Sequence, residues 1–429
     1  MLDRVQDSDS SKSAQAAAHA QAYGMPLDEF DPGNPELFRT DTFWPYFERL
    51  RREDPVHYCK DSMFGPYWSV TKYNDIMQVE TNHSTYSSAA AFGGITIRDA
   101  GVQFRRPMFI ATDPPHHSAQ RKTVAPMFAP HHMDELSSLI RSRTAEVLDS
   151  LPRNETFDWV DRVSIEVTTG MLATLFNFPY EQRRKLTFWS DMATASPQQT
   201  GAAGVTEVER KTALMECLEV FTTLWKERQN AAPTGRLDFV TALANSEATR
   251  GLEPMEYLGT LALLIVGGND TTRNSISGGV LALNENPDQY VKLREQPDLV
   301  PNMVSEIIRW QTPLAHMRRT ATADTELAGK QIAKGDKVVM WYVSANRDED
   351  VFERPNDFLI DRENARDHLA FGRGVHFCMG SRIAEMQLRV LWEEVLARFR
   401  HVEVVGKPVR VRSNFVKGYE HLPVRVHRR

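Results

Sequence analysis

Apolar residues recur every three or four positions over long stretches of this chain, the spacing that lines one face of a helix. From Pro114 to about residue 240 that pattern predicts successive helices. It is interrupted by the small and polar run 193–204, Ala-Thr-Ala-Ser-Pro-Gln-Gln-Thr-Gly-Ala-Ala-Gly, which cannot bury much surface and reads as a mobile loop. A long helix is expected from about Glu256 to Asn284, stopped near Asn286-Pro287, with further helices at about 287–296 and 301–311. Another should end near Phe399, with Ala384, Leu388, Leu391, Val395 and Phe399 on one face. Strand-like alternation appears at Gln331–Val343 and over 401–426, and residues 346–371 are charged and irregular. Near the N-terminus a short helix, Phe43–Arg52, precedes β-like segments starting at Val56 and Tyr67. Residues 1–26, rich in Ser, Ala, Gln and Asp, read as a flexible arm, and 27–429 as one folding unit without repeat or linker. The class is mainly α with a minor β part.

Composition narrows the setting. With 429 residues, 41% of them hydrophobic, a sizeable core is available. A net charge of -6 without a basic run argues against a nucleic-acid partner. The longest apolar stretch, around Leu258–Gly268, is too short to span a bilayer, and the N-terminus lacks the basic and apolar regions of a signal peptide. Three distant cysteines, Cys59, Cys217 and Cys378, form neither a disulfide framework nor a Cys-x-x-Cys metal site. A soluble, cytoplasmic monomer with no membrane anchor is the expectation.

The candidate chemistry begins at Phe371-Gly-Arg-Gly-Val-His-Phe-Cys378-Met-Gly380. This loop hands one cysteine to the start of an apolar helix, where N–H groups and the positive dipole end favour a thiolate, the metal-binding form. Its glycines, Gly372, Gly374 and Gly380, permit tight turns and the close approach of a flat ligand. Within the long helix, Gly267-Gly268 costs roughly 1 kcal/mol per glycine against alanine, so a packing or functional reason is expected. Asp270-Thr271 then places a carboxylate beside a hydroxyl. Glu306 and Arg309 share a helix face, and an exposed pair of that kind is worth only a few tenths of a kcal/mol. Asp113-Pro-Pro-His-His117 suits a helix start, with His117 and Arg121 one turn apart.

Phe371, Gly374, Cys378 and Gly380 together resemble the haem-binding loop of the cytochrome P450 family, and the resemblance covers nearly all of the chain after about residue 27. It implies haem b (iron protoporphyrin IX) with Cys378 as the axial iron ligand, its thiolate pushing electron density onto the iron. Phe371, Gly372 and Gly380 would shape the loop. His117, Arg121, His376 and Arg319, with Arg318 as the near alternative, would bind the two propionates. Asp270 and Thr271 would deliver protons beside a locally opened turn that admits dioxygen. Glu306 and Arg309 would brace the cysteine loop; Asp357 stands where many relatives carry the third, arginine member, leaving Arg354 or Arg362 as substitutes. Ile95, Ile97, Phe109, Leu263, Val266, Gly267, Leu314, Phe415 and Val416 fall where the family lines its substrate pocket. The runs Leu264–Ser275, Pro313–Arg319 and Ser413–Glu420 are similar to the bacterial branch that hydroxylates medium-chain alkanes and fatty acids at the terminal carbon. That implies electrons from a soluble ferredoxin and its reductase, with Lys122, Arg373 and Arg382 as a basic face for such a partner. Rival expectations are another apolar substrate, a terpenoid or steroid, or a peroxide-driven enzyme of the same fold.

Overall fold

The computed structural model describes residues 2–99, 106–195, 205–229 and 238–428. The expected loop at 193–204 falls largely outside them: Thr194 ends the helix Arg184–Thr194, and 196–204 are not among the described residues.

The long helix, Pro254–Glu285, runs through the middle and belongs to two apolar cores. At its C-terminal half Ile276, Val280 and Leu283 pack with Met303 and Ile307 of helix Val300–Gln311 and with Leu391 and Trp392 of helix Ser381–Arg398. At its N-terminal half Leu258, Leu261 and Ile265 pack with Leu172, Phe176, Trp189 and Phe221. Each such buried side chain contributes about 1.5–3 kcal/mol of transfer free energy. The stretch 266–275 between the cores joins neither, and it carries Gly267, Gly268, Asp270 and Thr271.

A five-stranded sheet flanks the helices in the order Val56–Cys59, Tyr67–Val70, Lys337–Met340, Met317–Ala321, Tyr86–Ser87. The pairing of Tyr67–Val70 with Lys337–Met340 is parallel and the rest antiparallel. A three-stranded sheet pairs Pro423–Arg428 with Phe157–Asp158 and Phe399–Val404. The alternation over Gln331–Val343 resolves into two strands, Lys330–Ile332 and Lys337–Met340, and then a turn of helix at Tyr342–Ala345.

The N-terminal segment differs from a free arm. It forms the helix Leu2–Gly24, with Ala18 and Ala22 buried. Ala22 joins Phe30, Tyr46 and Leu50 in a small core, and Arg49 Nη1 donates to the carbonyls of Ala22 and Met25, each at 2.7 Å.

His316 ties three segments together at the edge of the large sheet. Its Nε2 accepts from the Ile97 N–H at 3.1 Å and its Nδ1 donates to the Asn414 carbonyl at 2.7 Å, an arrangement that requires the neutral ring. Burial lowers its pKa from 6.5 to about 4. The unfolded chain therefore binds more protons in that interval, and stability falls as pH drops below 6.5 until the folded value is reached. A drop from pH 6.5 to 5 should cost about 2 kcal/mol through this residue alone. Chemical denaturation at several pH values should show a shallower acid slope, by one proton, for His316→Gln.

Candidate active site

The cysteine loop is closed by the Cys378 N–H donating to the Phe371 carbonyl at 2.9 Å. Gly372 and Gly374 both take φ of +64°, while Gly380 does not need a positive φ. At Gly374 a Cβ would stand 2.5 Å from the backbone oxygen of Glu80, so the loop can lie against helix Tyr73–Thr81 only with glycine there. Cys378 itself borders a cavity of about 840 Å³. Burial raises its thiol pKa, against N–H groups of Gly380 and Ser381 and the charge of Arg121, which lower it. A cation in the cavity would tip that balance to the thiolate. Cys59 and Cys217 are buried elsewhere, with burial pushing both thiols far up.

Behind the loop the Glu306–Arg309 pair is fully buried, not the exposed pair that its spacing suggested. Arg309 Nε and Nη2 donate to the two carboxylate oxygens of Glu306 at 2.7 Å each. Arg362 Nε reaches the same oxygens at 3.1 and 3.2 Å, and the Leu359 N–H adds a bond of 3.0 Å. Arg362 is thus the guanidinium brought to this carboxylate. Arg354 instead pairs with the Asp357 carboxylate at 2.6 Å on the surface. The Asp357 main-chain carbonyl still accepts from Arg309 and Arg362, at 3.1 and 2.9 Å, so its side chain can vary without losing those bonds.

His117, Arg121, Arg319 and His376 all border the cavity. The two imidazoles are 4.3 Å apart between ring centres, and each has a buried Nδ1 with no hydrogen-bond partner among the described residues. Burial, then the charge of Arg121, lowers His117 to about 4; burial, then Arg319, lowers His376 to about 2. Arg121 Nη2 donates to the Phe377 carbonyl at 2.6 Å. Arg319 donates to buried Glu80 at 2.9 Å, and Tyr342 bonds the other Glu80 oxygen. Arg318 is turned to Asp99, at 2.5 Å, and does not border the cavity. Helix His116–Val124 starts one residue after the two prolines, and Asp113 does not cap it. Its carboxylate accepts from the Ser88 N–H at 3.0 Å, and the Ser88 hydroxyl lies 2.9 Å from His376 Nε2.

Across the cavity, Gly267 faces open space, whereas a Cβ on Gly268 would stand 2.7 Å from Leu172 Cδ2. One glycine leaves room for a ligand and the other lets two helices meet. The helix is continuous through this region, without the opened turn expected of it, and the Thr271 hydroxyl donates to the Gly267 carbonyl at 2.9 Å. Thr271 borders the cavity; Asp270 does not. Asp270 Oδ1 points behind the helix, accepting from Ser190 Oγ at 2.9 Å, Asn269 Nδ2 at 2.8 Å and Arg273 Nη2 at 3.1 Å. Arg273 in turn reaches the half-exposed Asp191 at 2.9 Å. All nine residues expected on the substrate wall border the cavity.

Two orphaned buried imidazole nitrogens, two guanidinium groups, glycine-backed walls and one thiol form a donor set that fits a flat, dianionic, iron-bearing macrocycle. The cytochrome P450 family model matches residues 39–417. The chain belongs to that family. It is a cytochrome P450 monooxygenase whose prosthetic group is iron protoporphyrin IX. It is 35% identical over 409 residues to linalool 8-monooxygenase of Pseudomonas putida, covering 93% of this chain and 99% of that one. Among solved structures, cytochrome P450-153 from Novosphingobium aromaticivorans is 48% identical with a TM-score of 0.86, over 92% of this chain and 99% of the other. CYP153D17 from Sphingomonas sp. PAMC 26605 is 51% identical with a TM-score of 0.87, over 94% and 100%. No helix among the described residues is long and apolar enough to cross a membrane.

As a P450, this chain has several site residues that the motifs did not announce. Glu80 and Tyr342 hold Arg319 from behind, and Ser190 and Arg273 hold Asp270; Arg362, one of the two substitutes expected from the sequence, completes the Glu306 cluster. Glu80 and Ser190 come from segments distant in sequence from the groups they hold, whereas Arg273 lies one helical turn from Asp270. A lone Glu on a short amphipathic helix, such as Glu80, carries no local mark of burial.

Proposed function

We propose that this P450 hydroxylates the terminal carbon of linear aliphatic chains, medium-chain n-alkanes or fatty acids, with two electrons supplied by a soluble cytoplasmic ferredoxin and its reductase. The observation that carries this reading is the apolar wall formed by Leu263, Val266, Phe109, Leu314 and Phe415 around a cavity that Cys378 and Thr271 also border. Such a wall holds a hydrocarbon by area burial, at roughly 25 cal/mol per Å² before entropic losses. Cys378 would hold the haem iron and His117, Arg121, Arg319 and His376 would bind its two carboxylates, and the group would supply dioxygen activation there. One oxygen atom enters the C–H bond and the other leaves as water, so two protons must reach the site.

Thr271, which borders the cavity, would position a water with its hydroxyl, while Asp270 is held on the other side of the helix by an ion-pair chain through Arg273 to half-exposed Asp191. Terminal attack runs against intrinsic reactivity, because a methyl C–H is stronger than its methylene neighbour. The walls must therefore present only the chain end. Lys122, Arg373 and Arg382 remain the basic groups offered to an acidic electron donor.

Thr271→Ala should uncouple electron use from product. Reductant consumption continues while product per electron pair falls about tenfold or more, a ratio read by following both in one assay. The substrate reading is tested by following the haem spin-state shift of the purified holoenzyme across alkanes, alkanols and fatty acids of graded length. Terminal alcohols from the chains that shift it are the expected products, and no shift with any linear chain would sink the reading. The likeness to linalool 8-monooxygenase supports a second reading, a branched terpenoid alcohol, and linalool in the same screen separates the two.

A further inference from the structure

The cavity has a second cationic pole, away from the propionate donors. Arg98 and Arg106, eight residues apart in sequence, and Arg210 of helix Glu207–Gln229 border it. The two poles are electrically distinct. Arg106 is lowered to about 10 by burial, then by Arg210, and Arg98 is lowered by burial and then by Arg210 as well. The groups acting on His376 are instead Arg319, His117, Arg121 and His83. Among the described residues two carboxylates border the cavity, and both are engaged elsewhere: Glu80 with Arg319, and Asp99 with Arg318 and Lys337. Glu207 forks onto Arg210 at 2.6 and 2.9 Å, and its charge also acts on Arg98 and Arg106. The balance there is positive, inside a cavity whose other walls are largely apolar.

Arg106 is also held in place. A Cβ on Gly259 of the long helix would stand 1.9 Å from the Pro107 carbonyl oxygen and 2.9 Å from that of Arg106, so glycine lets this backbone press directly on the helix. Arg106 Nη2 reaches the Ala193 carbonyl at 3.4 Å. Along the helix, Gly259 lies about 18 Å from Thr271 at 1.5 Å per residue. That separation is comparable with the reach of an extended medium-chain acyl group.

Resting on the linear-chain reading above, we infer that Arg106, with Arg98 and Arg210, is a carboxylate subsite that makes this enzyme selective for fatty acids over n-alkanes. An acid held there by its head group lays its chain along the apolar wall and points its methyl end at Thr271 and Cys378. One anchor then supplies both affinity and terminal regiochemistry.

Spin-state titration of the holoenzyme with dodecanoate, methyl dodecanoate and dodecane tests this. The wild type should bind the acid about tenfold more tightly than the uncharged ester. Arg106→Gln should remove that preference while leaving the ester and the alkane unchanged, and Arg106→Lys should keep part of it. Arg210→Gln, on helix Glu207–Gln229, should give a smaller loss of the same selective kind. Equal affinities for acid and ester in the wild type would overturn the subsite while leaving the linear-chain reading intact, as would equal weakening of both in Arg106→Gln. No shift with any of the three would overturn the linear-chain reading, and the subsite with it.

Discussion

Replacing Glu306 with Gln should lower the stability of the holoprotein by about 3–5 kcal/mol, the cost of stranding a buried ion-pair partner. Five hydrogen bonds converge on this carboxylate, four from Arg309 and Arg362 and one from the Leu359 N–H. Gln offers one acceptor oxygen and turns an NH2 toward donors, so both guanidinium groups lose charge neutralisation where neither Glu306 nor Arg309 is exposed at all. Arg309 also donates to the carbonyls of Asn346 and Pro355, at 2.7 and 3.0 Å, and Asn346 Oδ1 accepts from the Leu369 N–H at 2.7 Å, just ahead of the cysteine loop. The loss should therefore appear twice, as a lower unfolding midpoint in denaturant and as a lower haem content at equal protein concentration. Glu306→Asp, which keeps the charge but shortens the reach, should fall between wild type and Gln.

Cys378→Ser should abolish monooxygenase turnover while leaving the fold in place. The side chain is replaced by one of nearly the same shape, and the loop is closed by the Cys378 main-chain N–H, which serine retains. What is lost is the soft anionic donor at the cavity wall. Product formation should fall to background on every chain that shifts the wild-type spin state. Far-ultraviolet circular dichroism should stay unchanged, which separates loss of the ligand from loss of the loop.

The elements with strong local periodicity were legible from residues alone. The long helix, predicted over 256–284, spans Pro254–Glu285, and the helix predicted over 301–311 spans Val300–Gln311. Proline and asparagine mark those ends unambiguously, and long helices give many turns of pattern to read. The cavity-bordering residues were legible through motifs, because loop glycines and the cysteine leave a dense signature. What was not legible depends on burial contributed by remote segments. Glu306 and Arg309 look like a surface pair at i, i+3, and only the packing of 346–362 over them makes them a buried cluster with Arg362. Asp270 sits next to Thr271 in sequence, yet helical geometry turns neighbours by about 100°, so only Thr271 borders the cavity and Asp270 faces Ser190. Arg98, Arg106 and Arg210 are ordinary surface residues in the linear text, and the fold alone gathers them at one end of the cavity.

The central claim is that this cavity seats haem on the Cys378 thiolate for oxygen chemistry. It is tested most directly by the absorption spectrum of the reduced holoprotein under carbon monoxide. A strongly red-shifted Soret band, the mark of a thiolate opposite the bound gas, is the predicted result, and it should be missing in Cys378→Ser. A Soret band at the unshifted position of a histidine-ligated or neutral-ligand carbonyl complex in freshly purified wild-type protein would contradict the account.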